Sequence, residues 1–148
     1  MGSRGPASAG YCPGPMAQES VEVVKACFDA LARRDFEASI GAYARDTEWD
    51  DSDVRPDGGV QRGRGAVWDR VRTWMGSFSE YSFELEQVLD AGDEVVVLFR
   101  DRGRGKTSGV EVEHHWGLVI TVEGGAITRT VFYGDQVEAL KAAGLASS

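Results

Sequence analysis

Between Asp93 and Asp135 the chain carries three strand candidates almost back to back, at residues 94–101, 110–123 and 126–133. This run limits the fold more than any other stretch. Val95-Val96-Val97-Leu98-Phe99 is uninterrupted apolar sequence, as expected of a strand covered on both faces. Glu123-Gly124-Gly125-Ala126 joins the last two strands, and its glycines supply the positive φ of a tight hairpin turn. The first two strands are separated by residues 102–109 (RGRGKTSG), which read as a loop because they are polar and rich in glycine.

The segments before this run alternate helix and strand. Val21, Val24, Phe28 and Leu31 fall on one face of a helix over residues 18–33. Asp35 can cap a second helix through Tyr43, with Phe36, Ile40 and Tyr43 in one stripe. A short strand is expected at 47–51, with Trp49 and Asp51 on one face. A long loop follows at 54–65, then a third helix at 66–78 carrying Val67, Val71, Trp74, Met75 and Phe78. Residues 81–89 alternate as a half-exposed strand. Asp135 and Glu138 have the spacing of a capping box opening a last helix at 136–143, which Gly144 stops. Helices first and an antiparallel meander afterwards define an α+β class.

At 148 residues the chain is one domain, long enough to bury a core without disulfides. Residues 1–15 (MGSRGPASAGYCPGP) have no periodicity. With Met16 opening MAQESVEVVK, residues 1–16 read as a disordered tail or leader and 17–148 as the domain. Removing that tail is expected to leave thermal stability unchanged. A net charge of −8 argues against nucleic acid and against an anionic membrane surface. No window has the length and apolarity of a membrane span, and there is no secretory signal. Cys12 and Cys27 make no disulfide framework, so the expected location is cytoplasmic.

Several phrases resemble the SnoaL-like branch of the nuclear transport factor 2-like superfamily. They are V-x-x-V-x-x-x-F-x-A-L-x-R-x-D at Val21 to Asp35, D-x-E-W-x-D at Asp46 to Asp51 and G-R-x-x-V at Gly63 to Val67. Further on come D-A-G-D-x-V-V-V from Asp90, S-G-V-E-V-E from Ser108 and Y-x-D-x-x-E-A-L-x-A-A-G-L from Tyr133. The resemblance implies a curved, mostly antiparallel sheet wrapped around the N-terminal helices, a cone with a hydrophobic pocket at its open end. That fold hosts isomerases, cyclases, dehydratases, epoxide hydrolases and non-catalytic members.

Strand parity combined with that shape turns Trp49, Asp51, Val96, Leu98, Arg100, His114, Trp116, Leu118, Thr130 and Phe132 inward, with Trp74 and Phe78 from the third helix. In the ketosteroid isomerases, which this fold resembles, a carboxylate at the end of the corresponding strand is the general base. The resemblance therefore implies that role for Asp51, and burial beside Trp49 would raise its basicity. The alternative is a capped acidic turn, or an ion pair with Arg100. His114 would relay a proton, and Arg100 would steady an oxyanion. Arg102 and Phe132 stand where limonene-epoxide hydrolases carry two aspartates beside their arginine, so that chemistry is not expected.

Trp49, Trp74, Phe78, Leu98, Trp116, Thr130 and Phe132 would bind a flat, hydrophobic ligand. One inward imidazole is too few ligands for zinc, so no metal and no cofactor are expected. The expected activity is that of an isomerase, cyclase or lyase on a hydrophobic carbonyl compound. The alternatives are a non-catalytic binder and an interaction module. Apolar Val95, Val97 and Phe99 on the outward parity would support a homodimer through the outer sheet face.

Overall fold

The structure is a computed structural model that describes residues 15–146, with side chains from Glu19 onward. Residues 1–14, nearly all of the expected tail, lie outside the described residues. Helix α1 (Pro15–Ala32) buries Val24, Cys27, Phe28 and Ala30, and the Phe28 ring meets those of Phe83 and Phe99 at 6.0 and 6.1 Å. No glycine marks the corner after α1. Arg34 itself adopts a left-handed φ of 63°, and its guanidinium reaches the Tyr81 carbonyl at 2.9 Å. That contact offsets backbone strain of about 1 kcal/mol. Asp35 caps α2 (Phe36–Gly41) by accepting from the Ala38 N–H.

Tyr43 does not extend α2 as expected; it opens β1 (Tyr43–Asp50). Its aromatic ring, buried against Trp49, suits a pleated surface better than an exposed helix end. The expected loop at 54–65 contains a three-residue strand, β2 (Val60–Arg62), antiparallel to β1. Then come α3 (Arg64–Gly76), β3 (Phe78–Ala91), β4 (Glu94–Gly105), β5 (Glu111–Glu123), β6 (Ala126–Tyr133) and α4 (Gln136–Ala142). The six strands form one curved, unclosed sheet in the order β2-β1-β6-β5-β4-β3, antiparallel except for the β1–β6 pair. Helices α1 and α3 lie against its concave face, and α4 lies on the other.

Three expectations change here. Residues 102–105 are strand, not loop: β4 runs on to Gly105, bonded to β3 on one side and, as far as Arg104, to β5 on the other. Glycine is needed at 103 because the Phe78 ring crosses over it. A Cβ there would sit 2.8 Å from that ring and 2.9 Å from the Glu80 carbonyl oxygen.

The inward residues of β4 are also the other set. Val95, Val97, Phe99 and Asp101 face the helices, whereas Val96 and Leu98 pack outward with Val119 and α4. An apolar run buried on both faces has no alternation, so its parity is not written in it. Arg100 consequently lies on the outer face, ion-paired with Glu84. The apolar argument for an outer-face homodimer falls with it, since Val95, Val97 and Phe99 are core.

Finally, an extra residue between Leu85 and Gln87 reverses the parity of β3. Val88 turns inward and Leu89 outward, where a regular alternation would do the reverse.

Candidate active site

Helices α1, α2 and α3 and the concave sheet enclose a cavity of about 90 Å³, lined largely by apolar side chains. Trp49 lies on β1, Trp74 on α3, Trp116 on β5 and Phe132 on β6, and all four line it. Trp49 and Phe132 touch at 4.7 Å, and Trp74 stands edge-on to Trp116 at 6.0 Å. Phe78 is behind Trp74, in edge contact at 5.0 Å. Thr130 is on the inner face of β6, opposite Ile120, with its hydroxyl buried and without a hydrogen-bond partner among the described residues, but it does not line the cavity. Leu98 and Arg100, expected here, are on the other side of the sheet.

Two buried carboxylates reach this cavity. Asp51, 2% exposed, follows the last residue of β1 and holds the 51–59 loop. One oxygen accepts from the Gly59 N–H (3.0 Å) and Arg70 Nη2 (3.1 Å), and the other from Trp49 Nε1 (3.1 Å). Arg70 Nε is 3.1 Å from that second oxygen, a charge contact too poorly aligned to be a hydrogen bond. Gly58 packs so closely that a Cβ would meet the Asp51 carbonyl oxygen at 2.4 Å. With donors on both oxygens and a guanidinium alongside, this carboxylate is fully engaged and anchors the loop.

Asp101, 1% exposed, is the second. Its Oδ2 accepts from the Tyr81 hydroxyl at 2.8 Å and Trp74 Nε1 at 3.2 Å, and its Oδ1 is 2.9 Å from His114 Nδ1. The β4–β5 register places Asp101 directly opposite His114, so the two side chains emerge on one face. The His114 ring stacks on Trp116 at 4.7 Å and remains 33% exposed, but, unlike Asp101 and Trp116, it does not line the cavity. Burial, and then the charge of Asp101, push the Tyr81 hydroxyl well above the ordinary tyrosine value, which keeps it a donor.

Asp101, Tyr81, Arg55 and Arg70 were not among the expected site residues. A signal for Asp101 existed: it faces His114 if the two strands are paired through their valine runs. Arg55 and Arg70 depend on how the 51–59 loop folds over α3, which no periodicity records. Among the described residues no three His, Cys, Asp or Glu side chains are grouped to hold a metal ion, and no helix is long and apolar enough to cross a membrane.

A curved sheet closed by helices around an apolar cavity with a few converging polar groups defines the nuclear transport factor 2-like, cystatin-like class. Within it, the chain belongs to the SnoaL-like domain family, whose model matches residues 24–130. An NTF2-like protein of Burkholderia thailandensis E264 superposes with a TM-score of 0.72 at 25% identity, over 82% of this chain and 96% of that one. TerC, co-crystallised with polyporic acid, gives 0.68 at 18% identity over 85% and 98%. A candidate polyketide cyclase of Xanthomonas campestris pv. campestris gives 0.66 at 22% over 86% and 98%. No curated protein matches the chain.

Proposed function

We propose that this SnoaL-like protein binds a small hydrophobic carbonyl compound in the cavity and catalyses proton transfer on it, with His114, which stands behind the cavity wall of Asp101, Trp74 and Trp116 rather than in it, as the base that the reacting end of the ligand reaches past that wall. The observation that carries this reading is the Asp101–His114 pair. A carboxylate on Nδ1 holds the ring in the tautomer whose Nε2 lone pair is free, and Nε2 has no partner among the described residues. His114 Nε2 takes a proton from the carbon next to the carbonyl, and the electron pair moves onto the carbonyl oxygen. Returning the proton at another atom completes an isomerisation; where the ligand carries a second carbonyl, attack of the enolate carbon on it, with the proton delivered to the resulting alkoxide, closes a ring. Tyr81 and Trp74 are positioning residues that fix Asp101.

Asp51, the base implied by resemblance, is assigned a different task in this proposal: it secures the loop that roofs the cavity. The small-molecule reading is supported by the family and by the ligand-bound TerC structure. The cavity also limits the ligand. At about 90 Å³ it is smaller than the roughly 150 Å³ void that holds benzene. A short-chain compound suits it as it stands, and a flat polycyclic ligand would require the 51–59 loop to give way.

The test is exchange of the α-protons of butanone, a ligand of the size the cavity takes, followed by NMR in heavy water. Catalysed exchange that is lost in His114→Gln is expected; exchange that survives this change overturns the assignment. A binder without chemistry is the second reading, favoured by the complete occupation of both carboxylates by protein donors. It is distinguished by saturable binding without exchange.

A further inference from the structure

We propose that Arg55 is the specificity-determining residue of the cavity, an anion seat that selects ligands carrying a carboxylate or enolate oxygen. The proposal rests on the cavity being a ligand site and names the class of ligand it takes. Arg55 stands on the 51–59 loop, lines the cavity, and is only 18% exposed at its side chain. Its guanidinium carbon lies 5.7 Å above the Trp74 ring, which holds the planar group against an aromatic wall.

What Arg55 lacks is an acceptor. Among the described residues its side chain makes no hydrogen bond, and its ion pairs are long, its Nε lying 3.9 Å from Asp51 and 3.5 Å from Asp57. Asp51 has both oxygens engaged by Trp49, Gly59 and Arg70. Asp57 is 74% exposed and hydrated, so its contact is weak. A guanidinium carries five N–H donors, and those of Arg55, which keep partial access to water at the loop end of the cavity, are free to bond an incoming anionic oxygen.

Arg70 adds to the imbalance on the same wall. Its Nε is buried without a hydrogen bond, so two guanidinium groups face one buried carboxylate at the loop end of the cavity. At the other end Asp101 is held by Tyr81, Trp74 and His114 and repels an anion. The cavity is therefore polarised. An acidic ligand enters with its anionic oxygen toward Arg55 and its apolar body among Trp49, Phe132 and Leu118.

The experiment compares butyrate with 1-butanol, two probes of nearly equal size suited to the cavity volume. Binding to the full chain is followed through the indole N–H resonances of the tryptophans. Butyrate is expected to bind about tenfold more tightly than butanol, the effect of one or two charge-assisted hydrogen bonds. Arg55→Gln is expected to erase that preference, bringing butyrate affinity down to that of butanol in the same variant, and Arg55→Lys to retain part of it. Equal affinity of the two probes for the unaltered chain, or undiminished butyrate preference in Arg55→Gln, overturns the proposal. The comparison on the unaltered chain decides even where the variant fails to fold. Tight butyrate binding without α-proton exchange supports the anion seat while refuting catalysis. Failure of both probes to bind refutes the ligand cavity and the anion seat together.

Discussion

Asp51 shows how little a residue's identity says about its task. Its place after Trp49 suggests a desolvated base, yet its partner Arg70 is nineteen residues away in the chain and arrives only when α3 packs beside β1. Asp51→Asn is therefore expected to lower stability by roughly 3 kcal/mol, because a mostly buried guanidinium loses its counter-charge. Urea denaturation measures this, and an unchanged midpoint would show that the pair contributes nothing to folding. Tyr81→Phe removes one of three donors to buried Asp101 and is expected to cost about 2 kcal/mol, the scale of a hydrogen bond to a charged group. His114 and its neighbour His115 do lie on opposite faces, as the strand alternation predicted, with His115 beside Glu113 and Glu86, but His114 stacks on Trp116 without lining the cavity.

Elements were most readable where one periodicity dominated. The spacing of Val21, Val24 and Phe28 located α1, and the Gly124-Gly125 turn located the β5–β6 hairpin, whose glycines have φ of 59° and 81°. Strand ends were not readable, because hydrogen bonding from neighbouring strands carried β4 through glycines that would form a loop in isolation. Gly103→Val tests this directly: the added side chain collides with Phe78 and Glu80. A loss of about 2 kcal/mol is expected from overpacking, read as a lower melting temperature. The last helix depends on its cap and its seat. Asp135 accepts from the Val137 N–H at 2.8 Å, and Asp135→Ala is expected to cost about 1 kcal/mol by thermal denaturation. Gly117 has no room for a side chain, since a Cβ would meet that of Ala139 at 2.5 Å, so α4 is pressed onto the sheet.

For the molecule as a whole, the enclosed polar groups set how stability responds to pH. Burial raises the Tyr43 and Tyr81 hydroxyls above the ordinary value of 10. Below that value both folded and unfolded chains keep these protons, and the stabilisation is complete. Above it the unfolded chain releases them first, so stability falls as pH rises. Asp50 has the opposite sense: bonds from Ser52 lower its value, and its contribution is lost as pH falls through the acid range. The measurement is melting temperature against pH, with tyrosine absorbance in parallel. The two phenols are expected to ionise only as the chain unfolds. Reversible ionisation of every tyrosine near pH 10 in the folded state would contradict their burial.

What the sequence alone determined was the α+β class, the succession of elements apart from β2, the caps at Asp35 and Asp135, and the presence of an aromatic-lined interior. The first three follow from local periodicity and turn chemistry, and the last from strand parity together with the shape that the family resemblance implies. Tertiary structure alone decided which face of the valine strand turned inward, since a run buried on both sides carries no directional mark. It exchanged Arg100 for Asp101 at the cavity, joined Asp51 to Arg70, and left Arg55 mostly buried over Trp74 without an acceptor. Each of those outcomes is a contact between residues distant in the chain, selected by where charge can find a partner once water is removed.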